Sequence, residues 1–316
     1  MRNLILSRLL AFALTLLVAS SILFVAINVV PGSAARSALG IDATPQALAR
    51  FEALHGLDRP LVVQYADWLG RTFTGDFGKS FQNGVDVGPE LLRRIPVTLE
   101  LAILAFLIAN VIAIPLGAFA AMRHQRIPDK GISFIATLLG AMPNFWLATL
   151  LVMVLTLRFR LLPPGGYTPF FDNPILNLKQ MIMPALSLGI VSSALLIRIM
   201  RTAMIEVLSS DYIRTARAKG AQERVVMLRH AVRNALTPYV NVAAVEFGFL
   251  FGSVVIIEDI FLLPGIGSFV LVGIINRDYP VLLASALTIT LVVLIINFIV
   301  DIAVGLIDPR RVTRHR

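Results

Sequence analysis

Asp211-Tyr212-Ile213-Arg214-Thr215-Ala216-Arg217-Ala218-Lys219-Gly220-Ala221 is polar, basic and rich in helix formers, and long apolar runs flank it on both sides. Asp211 suits a helix N-cap and Gly220 the left-handed position after a last turn, so a short helix is expected over 211–219. A chain otherwise made for lipid keeps such a surface in water, where another protein can grip it.

Apolar residues make up 57% of the 316 residues, charged residues only 15%, and the mean hydropathy is +0.81. Several apolar runs reach the roughly 20 residues that cross a hydrocarbon core of about 30 Å. The expected fold is an all-α integral membrane protein with six transmembrane helices over 9–30, 98–122, 131–157, 181–205, 237–262 and 282–305. Arg2 and Arg8 before the first run and Ser33-Ala34-Ala35 after it also fit a secretory signal. The run is too long for an h-region of about 7–15 residues, so a retained helix is the reading.

Lysine and arginine set the orientation. Seventeen lie on one side: Arg2, Arg8, Arg123, Arg126, Lys130, eight from Arg198 to Arg233, then Arg310, Arg311, Arg314 and Arg316. Arg158, Arg160, Lys179 and Arg277 face them on the other. Both termini are therefore expected in the cytoplasm. The net charge of +9 belongs to loops beside anionic lipid rather than to nucleic-acid binding. With no cysteine there is no disulfide or thiolate chemistry.

The chain divides into 1–97, a transmembrane helix with an extracytoplasmic cap; 98–305, a five-helix core with the cytoplasmic loop 206–236; and 306–316, a basic tail. In the cap, Thr44-Pro45-Gln46 reads as a helix start and Gly56 as its end. Pro60 to Phe73 reads as a second helix, apolar along Leu61, Tyr65, Trp68 and Leu69. Segments 158–180 and 263–281, with Pro163-Pro164-Gly165-Gly166 and Pro264-Gly265-Ile266-Gly267, are turn-rich outer loops.

Signals of catalysis are thin. His55, His124, His230 and His315 stand in separate loops or tails without ligand spacing, so no metal site is assigned. No P-loop, nucleophile elbow or H-E-x-x-H run occurs, and no catalytic residue is assigned. An ATP-driven process would need its ATPase on another chain.

Charges within lipid cost about 2.5–3.5 kcal/mol each at midplane. Glu246, about ten residues into span five, is the clearest. It lines a polar path or is locked to an arginine or a backbone group. Gly248 and Gly252 form a G-x-x-x-G pair suited to helix packing. Asn110 and Asn144, the latter after Pro143, line a cavity or bond between helices. Glu258 and Asp259 read as interfacial, and Asn297 and Asp301 share a face of span six. One deep carboxylate without a relay disfavours a proton-coupled carrier.

After Gly220, apolar residues recur at Val225, Leu228, Val232 and Leu236, with Arg224, Arg229 and Arg233 off the stripe. This predicts a surface helix leading into span five, which would open near Pro238. A plain basic loop held by lipid headgroups has the same composition.

The order of residues is more specific. Tyr212-Ile213-Arg214-Thr215-Ala216-Arg217-Ala218-Lys219-Gly220, followed by Arg229-His230-Ala231-Val232-Arg233-Asn234-Ala235-Leu236-Thr237-Pro238, resembles the EAA loop of ABC importer permeases. It is most similar to the B-type subunit of the dipeptide/oligopeptide/nickel group. Pro31-Gly32, Gly56-Leu57-Asp58-Arg59-Pro60, Gly75-Asp76-Phe77-Gly78-Lys79-Ser80, Arg94-Ile95-Pro96-Val97-Thr98, Met183-Pro184-Ala185-Leu186-Ser187-Leu188-Gly189, Phe261-Leu262-Leu263-Pro264-Gly265, Arg277-Asp278-Tyr279-Pro280 and Asp308-Pro309-Arg310 resemble further blocks of that subunit, in order. Arg214 stands where the wider motif has glutamate, which narrows the subgroup.

The resemblance implies a type I ABC importer permease fold in a prokaryotic plasma (inner) membrane. It implies a second homologous permease, two ABC ATPases that bring ATP and Mg, and an external substrate-binding protein. Asp211 to Ala221 would be the part that docks on the ATPase, with Glu246, Asn110 and Asn144 as candidates for the path. Nickel chelates, opines or glutathione are alternative cargoes to peptides. A self-contained channel or carrier, or a structural scaffold, is the alternative from another class.

Overall fold

The computed structural model describes residues 2–29, 32–40 and 42–307. Pro31, the Asp308-Pro309-Arg310 ending, the rest of the basic tail and the Asp301 side chain lie outside the described residues. Among these residues helix is the only extended regular structure. The helices are α1 (Arg2–Val29), α2 (Ala34–Leu39), α3 (Pro45–His55), α4 (Leu61–Phe73), α5 (Val87–Met122), α6 (Ile127–Ala141), α7 (Asn144–Leu151), α8 (Pro174–Leu208), α9 (Asp211–Ala218), α10 (Glu223–Val225), α11 (Arg233–Ile260), α12 (Ile266–Asn276) and α13 (Tyr279–Ile307). π-helical turns extend α7 over Val152–Arg158 and join α10 to α11 over Val226–Val232.

Five helical runs are long and apolar enough to cross a membrane, and a bent pair brings the number to six if it counts as one span. That pair corrects the expectation of a continuous helix over 131–157. α6 and α7 meet at 97°. Pro143 has no N–H, and the residue before a proline avoids the helical region; Met142 accordingly sits at φ −80°, ψ 132° and α6 stops at Ala141. α5 starts at Val87 rather than 98, with Pro89 in its first turn, where no N–H is required. α8 starts at Pro174, where the Asn173 side chain accepts the Leu176 N–H at 3.1 Å.

Span five corrects two further expectations. Pro238 opens nothing: it lies inside α11, and Glu223 to Ile260 winds as one run. The buried stripe is not Val225, Leu228, Val232 and Leu236, since Val225 and Leu228 are exposed. Instead Met227, Ala231, Ala235, Tyr239 and Ala243 face inward at four-residue intervals. The wide π turn shifts the register, and the small alanines allow close contact that Leu228 would block.

Two compact units are present, residues up to Thr98 with those from Pro264 onward, and Leu99–Leu263. In the first, α1 and α12 pack on α13. Thr44 caps α3 as expected, accepting the Ala47 N–H at 3.3 Å, and Gly56 ends it at φ +66°. Tyr65 and Trp68 of α4 pack on Phe24 of α1, and the Ser21 hydroxyl donates to the Tyr65 hydroxyl at 2.9 Å. Arg94 lies over the Phe269 ring at 4.4 Å and bonds Glu90 at 2.7 Å.

In the second unit α8 packs against α6, α7 and α11, and a run of small residues brings α5 onto it. Ala105, Ala109, Ala113, Gly117 and Ala121 recur every four residues along α5, and all four alanines are buried. A Cβ at Gly117 would stand 2.8 Å from the Ile197 carbonyl oxygen, and one at Gly189 would stand 2.7 Å from that of Ala105. Gly252 has no atom within 4 Å of such a Cβ, so it takes no part in helix packing within this chain. The close contacts fall at other glycines because α11 meets α8 through its alanine face. Gly117→Val is expected to lower stability by about 1–3 kcal/mol through overpacking, read as a lower unfolding midpoint of purified protein in detergent. Gly252→Val should leave that midpoint unchanged.

Candidate functional site

Within the loop between α8 and α11, α9 is anchored by one buried residue. Ser210, not Asp211, takes the N-cap position of α9, with φ −73° and ψ 151°. Its hydroxyl donates back to the Val207 carbonyl at 2.5 Å instead of capping. Asp211 therefore sits in the first turn, where its charge suits the helix dipole, and reaches Arg214 at 3.4 Å. Ile213 is completely buried, while Tyr212, Arg214, Thr215, Arg217, Ala218 and Lys219 are exposed.

The turn after α9 is left-handed. Gly220 has φ +79°, a region that side chains disfavour, and nothing lies within 4 Å of a Cβ built there. Its glycine is required by backbone conformation, not by close approach within the chain. Across this turn the Arg217 guanidinium forks onto Glu223, at 2.6 Å from Nη2 and 3.1 Å from Nε. That hydrogen bond raises the Arg217 pKa further. The Asn234 amide donates to the Tyr212 hydroxyl at 3.0 Å, and α9 packs on the π turn Val226–Val232. The loop is thus a closed, exposed knob rather than an open basic tether. Glu223 and Asn234 were not singled out from sequence. The clue was an acid six residues past Arg217, just beyond a turn glycine.

The candidates in the spans separate by what they bond. Asn110 is occupied: its Oδ1 accepts from the Tyr239 hydroxyl at 2.7 Å and its Nδ2 donates to Phe106 O at 2.8 Å. Asn144 opens α7 just after the break, and its buried Oδ1 has no hydrogen-bond partner among the described residues. Glu246 is half-buried at the edge between the inward and outward faces of α11, and no described residue pairs with it. Glu258 is fully buried on the inward face with Val254 and Ile257, whereas Asp259 is exposed.

Outer loops are held by specific bonds in each unit. In the first, Asp278 is only 2% exposed and accepts the Ser80 hydroxyl at 2.5 Å and the Phe81 N–H at 3.1 Å. Beside this clip lies a cavity of about 670 Å³, with Trp68, Phe81 and Tyr279 on its apolar wall and Arg59, Arg71 and Asp76 on its polar one. In the second, the Gly166 N–H donates to Phe261 O at 2.9 Å, and Tyr167 donates to Glu100 at 2.8 Å. Burial and that carboxylate push the Tyr167 hydroxyl up to about 12.

The profile of the family "Binding-protein-dependent transport system inner membrane component" matches residues 113–313, and that of its N-terminal region matches 1–102. The chain belongs to this family. It is thus a multi-pass inner-membrane permease of the ABC importer class, in the peptide-transport group, as the resemblance of its motifs implied. The dipeptide transport system permease protein DppB of Bacillus subtilis (strain 168) is 36% identical over 301 residues, covering 95% of this chain and 94% of the relative. DppB of Alkalihalophilus pseudofirmus is 34% identical over 307 residues, with 91% and 92% covered. A crystal structure of an amino acid ABC transporter with histidines matches 68% of this chain and 92% of its own, at TM-score 0.50 and 16% identity, which is a likeness of fold.

The Asp278 clip makes a direct prediction. Asp278→Ala leaves two donors without an acceptor, at about 1–3 kcal/mol. Hydrogen exchange at residues 80–83 should accelerate, while exchange in α8 stays as in the parent.

Proposed function

We propose that this permease forms half of the path for di- or oligopeptides in an ATP-driven importer and takes up the stroke of a separate ATPase through α9. The observation that carries the proposal is the build of the loop. One fully buried residue, Ile213, roots a helix whose other side chains are nearly all presented to solvent, and the Arg217–Glu223 fork closes the turn behind it. A tether for lipid headgroups needs no such closure, whereas a part that transmits force needs a fixed shape. Membership in a binding-protein-dependent family supports ATPase and substrate-binding partners. A second homologous permease would complete the path, and ATP with Mg would be bound by the ATPases.

Peptide cargo rests on relatives named as dipeptide permeases and on Glu246. A carboxylate at membrane depth needs a counter-charge, and among the described residues of this chain none reaches it. A free peptide amine supplies one as it passes.

Two variants test the reading. Gly220→Val strains the left-handed turn; the reconstituted importer should still hydrolyse ATP but lose uptake. Normal uptake at normal abundance would contradict coupling through this loop. Glu246→Gln should cut uptake of dipeptides at least about tenfold, a loss of about 1.4 kcal/mol, without lowering ATP hydrolysis. Unchanged uptake would remove Glu246 from the path.

A further inference from the structure

The most heavily bonded ionic group in the second unit lies outside the loop and outside the candidate path. Asp129, in the first turn of α6, is only 2% exposed. Arg201 of α8 grips it with both arms, Nε to Oδ1 at 2.5 Å and Nη2 to Oδ2 at 2.8 Å. The Gln125 N–H donates to Oδ2 at 2.8 Å, and His124 Nδ1 stands 3.4 Å from the same oxygen. Ser133 Oγ reaches Oδ1 at 3.5 Å. Gln125 is held at φ +64°, an uncommon backbone conformation for a residue with a side chain, on the turn that Asp129 closes. A buried fork of this kind fixes both distance and angle between the groups it joins.

Its place in the chain suggests its use. Arg201 lies on the last two turns of α8, which ends at Leu208 and leads through Ser209 and Ser210 straight into α9. Any displacement of α9 enters α8, and the fork passes it to the start of α6. α6 and α8 run antiparallel, because Gly140, near the end of α6, meets Ala194 further back on α8. A Cβ at Gly140 would stand 3.3 Å from that of Ala194. One residue later α6 ends, and the chain turns by 97° at Met142–Pro143. α6 is therefore fastened to α8 near both ends, and the first bend available beyond it is the proline break.

We propose that Asp129 and Arg201 are positioning residues for transport: their fork makes α6 move with α8, so that the stroke received at α9 arrives at the Met142–Pro143 corner and thus at α7. This rests on the coupling role of α9 proposed above. The pair is a fixed strut that stays closed through the cycle, not a switch that opens.

The absence of cysteine makes a clean test possible. In the complete importer reconstituted with its partner subunits, Asp129→Asn should keep ATP hydrolysis but lower peptide uptake per ATP at least tenfold. Adding Gly140→Cys and Ala194→Cys supplies a bridge, since the 3.3 Å between those Cβ positions falls only slightly short of the roughly 3.5–4.5 Å that disulfides span. Oxidation should restore uptake per ATP in the Asp129→Asn background and reduction should abolish it again. In the parent background the oxidised pair should leave uptake unchanged. Normal uptake per ATP in Asp129→Asn overturns the proposal, as does blocked uptake in the oxidised parent. So does an Asp129→Asn chain that fails to assemble with or without the bridge, because the pair then serves folding alone. Gly220→Val run alongside separates the two readings. If it uncouples while Asp129→Asn does not, only the strut fails; if neither uncouples, the coupling role of α9 fails as well.

Discussion

The second unit depends on the approach of α5 to α8. Gly117 and Gly189 leave no room for a Cβ against the opposing carbonyl oxygens. In lipid, two apolar helices gain little from avoiding water, so their association relies on dispersion contacts that only small residues permit at this range. Ala105, Ala109, Ala113 and Ala121 extend the contact along α5, and Met227, Ala231, Ala235, Tyr239 and Ala243 form a comparable row on the segment leading into α11. With α8 held on these sides, a short helix attached to its end has something rigid to act upon.

Polar groups divide along the same lines. Asn110, Asp129, Glu258 and Asp278 are turned inward or fully bonded, and they fix helices and loops in place. Glu246 and the Asn144 carbonyl lack partners among the described residues, and both stand on elements that pack together, α11 and α7. A membrane protein tolerates such groups where something outside the chain completes them. The outward residues of α9 are exposed.

Much of this was legible in the sequence where the cause is local. Thr44-Pro45 and Gly56 mark the ends of α3 because caps and left-handed glycines act within one turn. The basic segment at 211–218 forms a helix closed by the left-handed Gly220, although its start lacks the side-chain cap expected at Asp211. What depended on neighbours was not legible. The apolar run through Pro143 concealed a right-angled break, because hydropathy counts residues and ignores the missing N–H. Pro238 looked like a helix start but is carried inside one, after a π turn that no spacing rule announced. Gly252 of the G-x-x-x-G pair meets nothing within this chain, while the five-membered A-x-x-x-A series of α5, broken once by Gly117, packs closely. A distant partner such as Arg201 for Asp129 emerges only once the chain is folded.

If α9 is held by an ATPase surface, the bound ATPase shields it from reagents in water. Because the natural chain lacks cysteine, a single cysteine at Lys219 or Arg214 is the only thiol. With the permease alone, a water-soluble maleimide applied from the cytoplasmic side should react rapidly with it. Binding of the ATPase should slow that reaction by at least about tenfold, the change that about 1.4 kcal/mol of protection produces. Equal labelling with and without a bound ATPase would show that α9 is not where the two proteins meet.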